Sequence, residues 1–151
     1  MSQINFFNED IKFELSDRRG LRAWFRSTIL EEGRKFEAIN IILCSDTFLH
    51  ELNFNHLGHD SLTDILTFPL ERNSRDVSGD IYISIERVSE NAEIFKQKMR
   101  KELNRVMIHG ILHLCGYKDG TKMEKEGMRT KEDYYLDKRT GSLENIGGNR
   151  A

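Results

Sequence analysis

The spacing of apolar positions changes period along the chain and divides it into short strands and amphipathic helices. Ile4 to Phe7 and Glu37 to Cys44 (EAINIILC) are rich in β-branched and aromatic residues, which pack well on a pleated surface, so both are predicted strands. Between them, Arg18 to Lys35 carries Leu21, Trp24, Phe25, Thr28 and Ile29 at spacings of three and four. On a helix that spacing gathers one apolar stripe for packing against a sheet. Ser45 or Asp46 has the side-chain oxygen to cap a following helix, whose apolar face includes Phe48, Leu49 and Leu52. Asp64 to Glu71 (DILTFPLE) and Gly79 to Ile85 (GDIYISI) read as two more strands. The polar stretch Arg72 to Ser78 joins them as a hairpin or a loop at a sheet edge. From Glu86 the pattern is helical through Leu114, with a break expected near Lys98 to Lys101, where charges crowd. Gly116 is the predicted stop, because glycine enters the left-handed conformation of a helix terminus without steric cost. Thr121 and Glu124 have capping-box spacing and start a last helix expected to run to about Lys138.

Composition narrows the class. With 151 residues, 38% of them hydrophobic, and a single proline, the chain suits one domain over residues 1–140. A domain of this size buries roughly 68–70% of its unfolded surface and needs no staple. The last eleven residues, GSLENIGGNRA (141–151), offer little to bury and are expected to form a mobile tail. No repeat or low-complexity block interrupts the chain. Cys44 and Cys115 sit in apolar surroundings without zinc-ribbon or redox spacing, so buried free thiols in a reducing compartment are expected. The first residues lack a basic start with an unbroken apolar core, and nowhere do about 18 apolar residues run together. A cytoplasmic protein with no membrane segment is the expectation. A formal net charge of −2 argues against general electrostatic coating of nucleic acid, although a local basic patch stays open.

The segment MIHGILHLCGYKDG carries the chemistry. His109 and His113 lie four apart, so on a helix their imidazoles project from one face a turn apart and can hold one ion. Leu103, Val106, Met107, Ile111 and Leu114 form the core-facing arc of that helix, with the histidines at its edge. Catalytic zinc sites use three protein ligands. With the helix stopped at Gly116 the chain can turn back and bring Asp119 beside the histidines, giving H-x-x-x-H-x-x-G-x-x-D. That is the spacing of the long zinc motif with aspartate in place of the last histidine. One Zn2+ per chain is therefore expected on His109, His113 and Asp119. Zinc peptidases of this spacing place a glutamate directly after the first histidine as the base. Here that position is Gly110, which favours some other hydrolysis.

HGILHLCGYKD resembles the signature of the YbeY-type endoribonucleases, the ribosomal RNA maturation factors, whose pattern runs H-G-x-L-H-L-x-G-Y-D-H. LTDILTFPLE (Leu62 to Glu71) resembles that family's T-D-V-L-S-F-P block, and GDIYIS (Gly79 to Ser84) its G-D-I-x-I-S block. The resemblance covers roughly Glu37 to Tyr135. It implies a zinc-dependent endoribonuclease specific for single-stranded RNA, acting in small-subunit ribosomal RNA maturation and ribosome quality control. It also implies an α+β fold with a mixed, mostly parallel four-stranded sheet packed with helices, in a zincin-like arrangement. Two positions depart from the family pattern. Asp119 stands where histidine is usual, with Tyr117-Lys118 replacing the Y-D before it. In the N-x-x-Y-R segment Asn53 is present, but the arginine position is Leu57. A guanidinium there would suit phosphate, and its loss leaves the RNA-contacting group unassigned. His56, His59 and Lys118 are substitutes by nearness in sequence.

Other candidates stay open. Lys98, Arg105 and His109 would share one stripe if the helix ran unbroken, laying positive charge along the approach to the metal; a solvated face, with Glu102 between, is the alternative. Among Thr63, Asp64 and Thr67, alternation lets only one strand face meet the site. Asp64 is the strongest of these, either supporting the metal ligands or merely capping the strand start. His59 is a second, weaker catalytic candidate, and the catalytic base is unassigned. A metallopeptidase on a related scaffold, or a non-enzymatic ribosome-assembly factor with a structural zinc, are the rival functions.

Overall fold

A computed structural model describes residues 2–58, 63–70 and 76–148 of the protein. The described elements run β1 (Gln3–Asn8), α1 (Arg18–Glu31), β2 (Lys35–Cys44), α2 (Asp46–Leu57), β3 (Ile65–Pro69), β4 (Asp76–Ser84), α3 (Ile85–Ile94), α4 (Met99–Leu114) and α5 (Lys122–Gly148). The four strands form one sheet in the order β1-β2-β4-β3. β1, β2 and β4 are parallel, and β3 returns antiparallel at the edge, with Ile65 opposite Ile83 and Pro69 opposite Gly79. The expected mixed, mostly parallel sheet is therefore present. Pro69, which lacks a ladder donor, sits at the end of that edge strand, where the cost is least.

Period-two alternation divides the central strands between two layers. Ile39, Ile41 and Leu43 of β2 and Ile81 and Ile83 of β4 face the main core with the apolar sides of α1, α3 and α4. Leu21, Trp24, Phe25, Thr28 and Ile29, the predicted stripe of α1, are all buried. On the other face α2 packs Leu49, with Phe48 and Leu52, against Cys44, Leu66, Phe68 and Tyr82. Ser45 caps α2 by accepting from Phe48 N. α5 lies outside α4 and contributes Met128, Tyr135 and Leu136 to the main core. The Trp24 indole donates to Tyr135 O at 2.9 Å, tying α1 to α5. Both cysteines are free and buried, and burial pushes each thiol's pKa up to about 12.

Several boundaries differ from the sequence expectation, among them the start of β4, which begins at Asp76 rather than Gly79 and so takes in part of the connection expected over Arg72 to Ser78. α1 stops at Glu31, four residues short of Lys35, because Gly33 adopts φ 74 and turns the chain into β2. The break between α3 and α4 spans residues 95–98, slightly before the crowded charges, with Lys96 at φ 53. Lys98 has extended backbone (φ −67, ψ 142), so the unbroken helical stripe of Lys98, Arg105 and His109 does not form. α5 continues ten residues past Lys138 to Gly148. Among the described residues no helix is long and apolar enough to cross a membrane.

Candidate metal centre

α4 presses its apolar arc into the sheet, which leaves its two histidines at the rim of the core. Leu103, Val106, Met107, Ile108, Ile111, Leu112 and Leu114 are buried, while the His109 and His113 side chains keep 20% and 22% exposure. Their rings lie 4.5 Å apart. Gly116 stops the helix with the paired bonds of a Schellman turn: Gly116 N donates to His113 O and Tyr117 N to Leu112 O, with Gly116 at φ 110. The turn sends the chain back along the helix. Asp119 Oδ2 thereby comes to 3.3 Å from both His109 Nε2 and His113 Nε2. Among the described residues His109, His113 and Asp119 form the one group of three whose ligand atoms all lie within 4.8 Å of one another.

The other ring nitrogens are engaged, which orients the donor set. His113 Nδ1 lies 2.9 Å from Tyr117 O, so the Schellman turn that delivers Asp119 also sets the His113 ring. His109 Nδ1 lies 2.6 Å from Glu132 Oε2. With Nδ1–H donated to an oxygen, each Nε2 carries the free lone pair that a metal takes. The residues present therefore fit a zinc ion: two imidazoles and one carboxylate, with Asp119 left 43% exposed beside them. Burial pulls the His109 pKa down, but the hydrogen bond and charge of Glu132, helped by Asp119 and Asp64, outweigh it and hold it above the ordinary histidine value.

Glu132 was not among the residues singled out from the sequence. It is 23 positions from His109, and no local motif marks it. The available signal was its place in the α5 series Met128, Glu132, Tyr135 and Arg139, spaced three or four apart and all buried, where an acid among core-facing positions needs a partner. It has two, since Arg105 Nη1 donates to its Oε1 at 2.8 Å. Glu132→Gln should weaken zinc binding by roughly 10–100-fold, the usual effect of losing a carboxylate behind a histidine ligand. A zinc titration against a competing chelator reads this, and unchanged affinity would mean that Glu132 serves only Arg105.

The loop that carries Asp119 is braced from below. Glu32, at the end of α1, accepts from Tyr117 Oη at 2.6 Å, from Lys131 Nζ at 3.2 Å and from Tyr135 Oη. Tyr117 is thus a structural strut.

Asp64, just before β3, lines a cleft beside His109 together with Glu102, Arg105, Arg129 and Glu132. Burial raises its carboxyl pKa, with His109 opposing the shift. Burial, then the charge of Asp64, also raises the Glu102 carboxyl. Asp64 O accepts from Ser84 N, so the residue closes the start of the β3–β4 ladder as well as facing the cleft. Thr63 turns its hydroxyl onto Ile65 O, and Thr67 pairs with Ile81 within the sheet. Gly110 faces the sheet rather than the metal centre: a Cβ there would lie 2.9 Å from Ile65 Cδ1 and 2.9 Å from Ile81 Cγ2.

The basic candidates scatter. Arg105 is committed to Glu132 and Asp133, with 18% of its side chain exposed. Lys98 precedes α4 at the far end of the helix from the histidines. Lys118 is exposed next to Asp119, and the His56 ring meets Phe68 edge-on at 6.0 Å. Asn53 is buried on α2. His59 and the Leu57 side chain lie outside the described residues.

Comparison with known proteins gives one consistent answer. The family model for endoribonuclease YbeY matches residues 3–140. A protein of that name from Amoebophilus asiaticus is 44% identical over 135 residues, spanning 89% of this chain and 92% of its own. One from Flavobacterium psychrophilum is 47% identical over 130 residues, covering 86% and 92%. The solution structure of a Thermotoga maritima protein superposes with a TM-score of 0.66 at 30% identity, covering 95% of this chain and 93% of that one.

Proposed function

The chain belongs to the YbeY endoribonuclease family, and from that premise we propose that it is a zinc-dependent endoribonuclease that cuts single-stranded RNA, in the maturation and quality control of small-subunit ribosomal RNA. The observation that carries the proposal is the convergence of His109 Nε2, His113 Nε2 and Asp119 Oδ2 at a partly exposed rim. A structural zinc is closed off by four protein ligands, whereas three ligands open to solvent suit a catalytic one. That openness favours the enzyme over an assembly factor with a structural metal.

A zinc ion there would act as a Lewis acid on a phosphoryl oxygen and ease the ionisation of water. The protein's own part is preorganisation. Glu132 and Tyr117 O hold the two imidazoles in one tautomer and orientation, and the Glu32 network holds the loop that brings Asp119. Asp64, on the cleft beside His109, is the carboxylate best placed to take or give a proton near the site. Lys118, exposed beside Asp119, is the cation nearest in sequence to a phosphate held there. The peptidase alternative lacks its base, and the packing around Gly110 leaves no room to restore one. The ribosome or its small subunit is the proposed setting, in the cytoplasm.

Zinc-loaded protein incubated in parallel with single-stranded RNA, duplex RNA and an unfolded protein is expected to cut the single strand in preference to the duplex and to leave the protein intact. His113→Ala should abolish the cut. Proteolysis that survives repurification and disappears in His113→Ala would reverse the assignment, and no cleavage of any substrate would favour the assembly factor.

A further inference from the structure

His109 presents Nε2 to Asp119 and Nδ1 to Glu132, and beyond Glu132 lies a cleft of about 230 Å3. Glu102, on its wall, is only 6% exposed, and among the described residues its carboxylate makes no side-chain hydrogen bond or ion pair. Its oxygens are not among the fully enclosed, unpartnered side-chain atoms of the described residues, so they open onto the cleft and take their donors from whatever fills it, which suits a ligand that brings donors. We infer that this cleft is a base-reading subsite, which receives the nucleobase of a nucleotide adjacent to the cut phosphate and favours guanine. The inference takes its substrate class from the endoribonuclease reading above.

Two simpler explanations fall short. Glu102 lies in the first turn of α4, where the helix dipole favours an acid, but the dipole supplies no hydrogen bond to its side chain. A second metal ion would need ligand oxygens drawn close together. Among the described residues only the His109, His113 and Asp119 group meets that condition. Arg105 and Arg129 on the same cleft also disfavour a bare cation.

A planar base suits the walls formed by Ile65, Val106, Arg129, Glu102 and Asp64. Ile65 and Val106 offer apolar surface to one ring face. Arg129, exposed and in no ion pair among the described residues, can lay its guanidinium over the other. Glu102 and Asp64 supply acceptors at the edge. Guanine alone among the four bases presents two adjacent donors, N1–H and the 2-amino group, which match the two oxygens of a carboxylate. Adenine, cytosine and uracil place a donor beside an acceptor, which a carboxylate repels.

The test is a titration of the full-length zinc-loaded chain with GMP, IMP and AMP, following the methyl resonances of Ile65 and Val106. GMP should shift both and bind about tenfold more tightly than IMP, which lacks the 2-amino group. Glu102→Gln should erase that difference, with Asp64→Asn as the second variant should the first fold poorly. Equal binding of the three nucleotides, shifts confined to other residues, a GMP preference that survives both variants, or the same methyl shifts from Mg2+ alone would each overturn the inference. Cleavage of single-stranded RNAs with one guanine moved along the chain separates it from the broader proposal. Cutting without guanine preference, together with even nucleotide binding, removes the subsite and keeps the nuclease. Guanine-selective binding by a chain that cuts no RNA does the reverse.

Discussion

The double variant His109→Ala, His113→Ala will lose its zinc and at least about a thousandfold in RNA cleavage, the scale of several kcal/mol that a Lewis-acidic ion contributes to a charged transition state. Wild-type chain should carry about one zinc, and the double variant essentially none, because Asp119 alone cannot hold the ion against water. The single variants separate ligation from folding. His109→Ala leaves Glu132 Oε2 without its partner in a side chain only 7% exposed, which costs about 1–3 kcal/mol of stability in addition to the metal. Among the described residues the His113 ring nitrogens meet only the Tyr117 carbonyl and Asp119, so His113→Ala should lose metal and activity with the fold nearly unchanged. Asp119→Ala should behave similarly, whereas Asp119→His should retain zinc. Elemental analysis, circular dichroism and single-turnover RNA cleavage on the same preparations decide it. Undiminished zinc in the double variant would remove these residues from the site altogether.

Substitutions at Gly110 will impair folding. Alanine normally gains about 1 kcal/mol over glycine inside a helix. At Gly110 the added methyl would press on Ile65 Cδ1 and on Ile81 Cγ2. The Ile81 methyl sits on a branched Cβ in a central strand and cannot swing aside as a flexible chain end would. Overpacking of this kind costs about 1–3 kcal/mol, so Gly110→Ala should be net destabilising despite the propensity gain. Gly110→Glu, which would restore the peptidase sequence, must place a charge among Ile65 and Ile81 and should not fold, since the expected penalty is on the order of a small domain's whole stability. Urea denaturation of the zinc-free proteins checks both. A raised midpoint for Gly110→Ala would show that α4 has slack against the sheet. A folded, proteolytic Gly110→Glu would overturn the reading of this helix face.

The convergence of His109, His113 and Asp119 was legible in one stretch of sequence because it is local. Two imidazoles four apart on a helix, a glycine that can take φ 110 and a carboxylate three residues later are set by backbone periodicity and by one conformation that glycine adopts at little cost. The same holds for the α1 stripe, the Ser45 cap and the Thr121–Glu124 capping box, in which Thr121 N donates to Glu124 Oε1 and Glu124 N to Thr121 Oγ1. Strand identities in the sheet were legible as well, since β-branched runs of five to ten residues have few alternatives.

What only tertiary structure decided is what depends on pairs far apart in the chain. Glu132 meets His109 across 23 residues, and Asp64 meets Glu102 across 38, through the packing of α5 and β3 on α4. No local period marks either encounter. Gly110 looked like a missing base, and it proved to be the point where α4 comes so close to β3 and β4 that even a Cβ would press on Ile65 and Ile81. Arg105 looked like free positive charge until α5 brought Glu132 and Asp133 against it. The stripe of Lys98, Arg105 and His109 was conditional on one unbroken helix, and it does not form because α4 begins at Met99 with Lys98 extended before it. Periodicity records which face of an element is apolar and which residues share that face. It does not record what the neighbouring element presents in return, and in this protein the partners that orient the donors and line the cleft come from those neighbours.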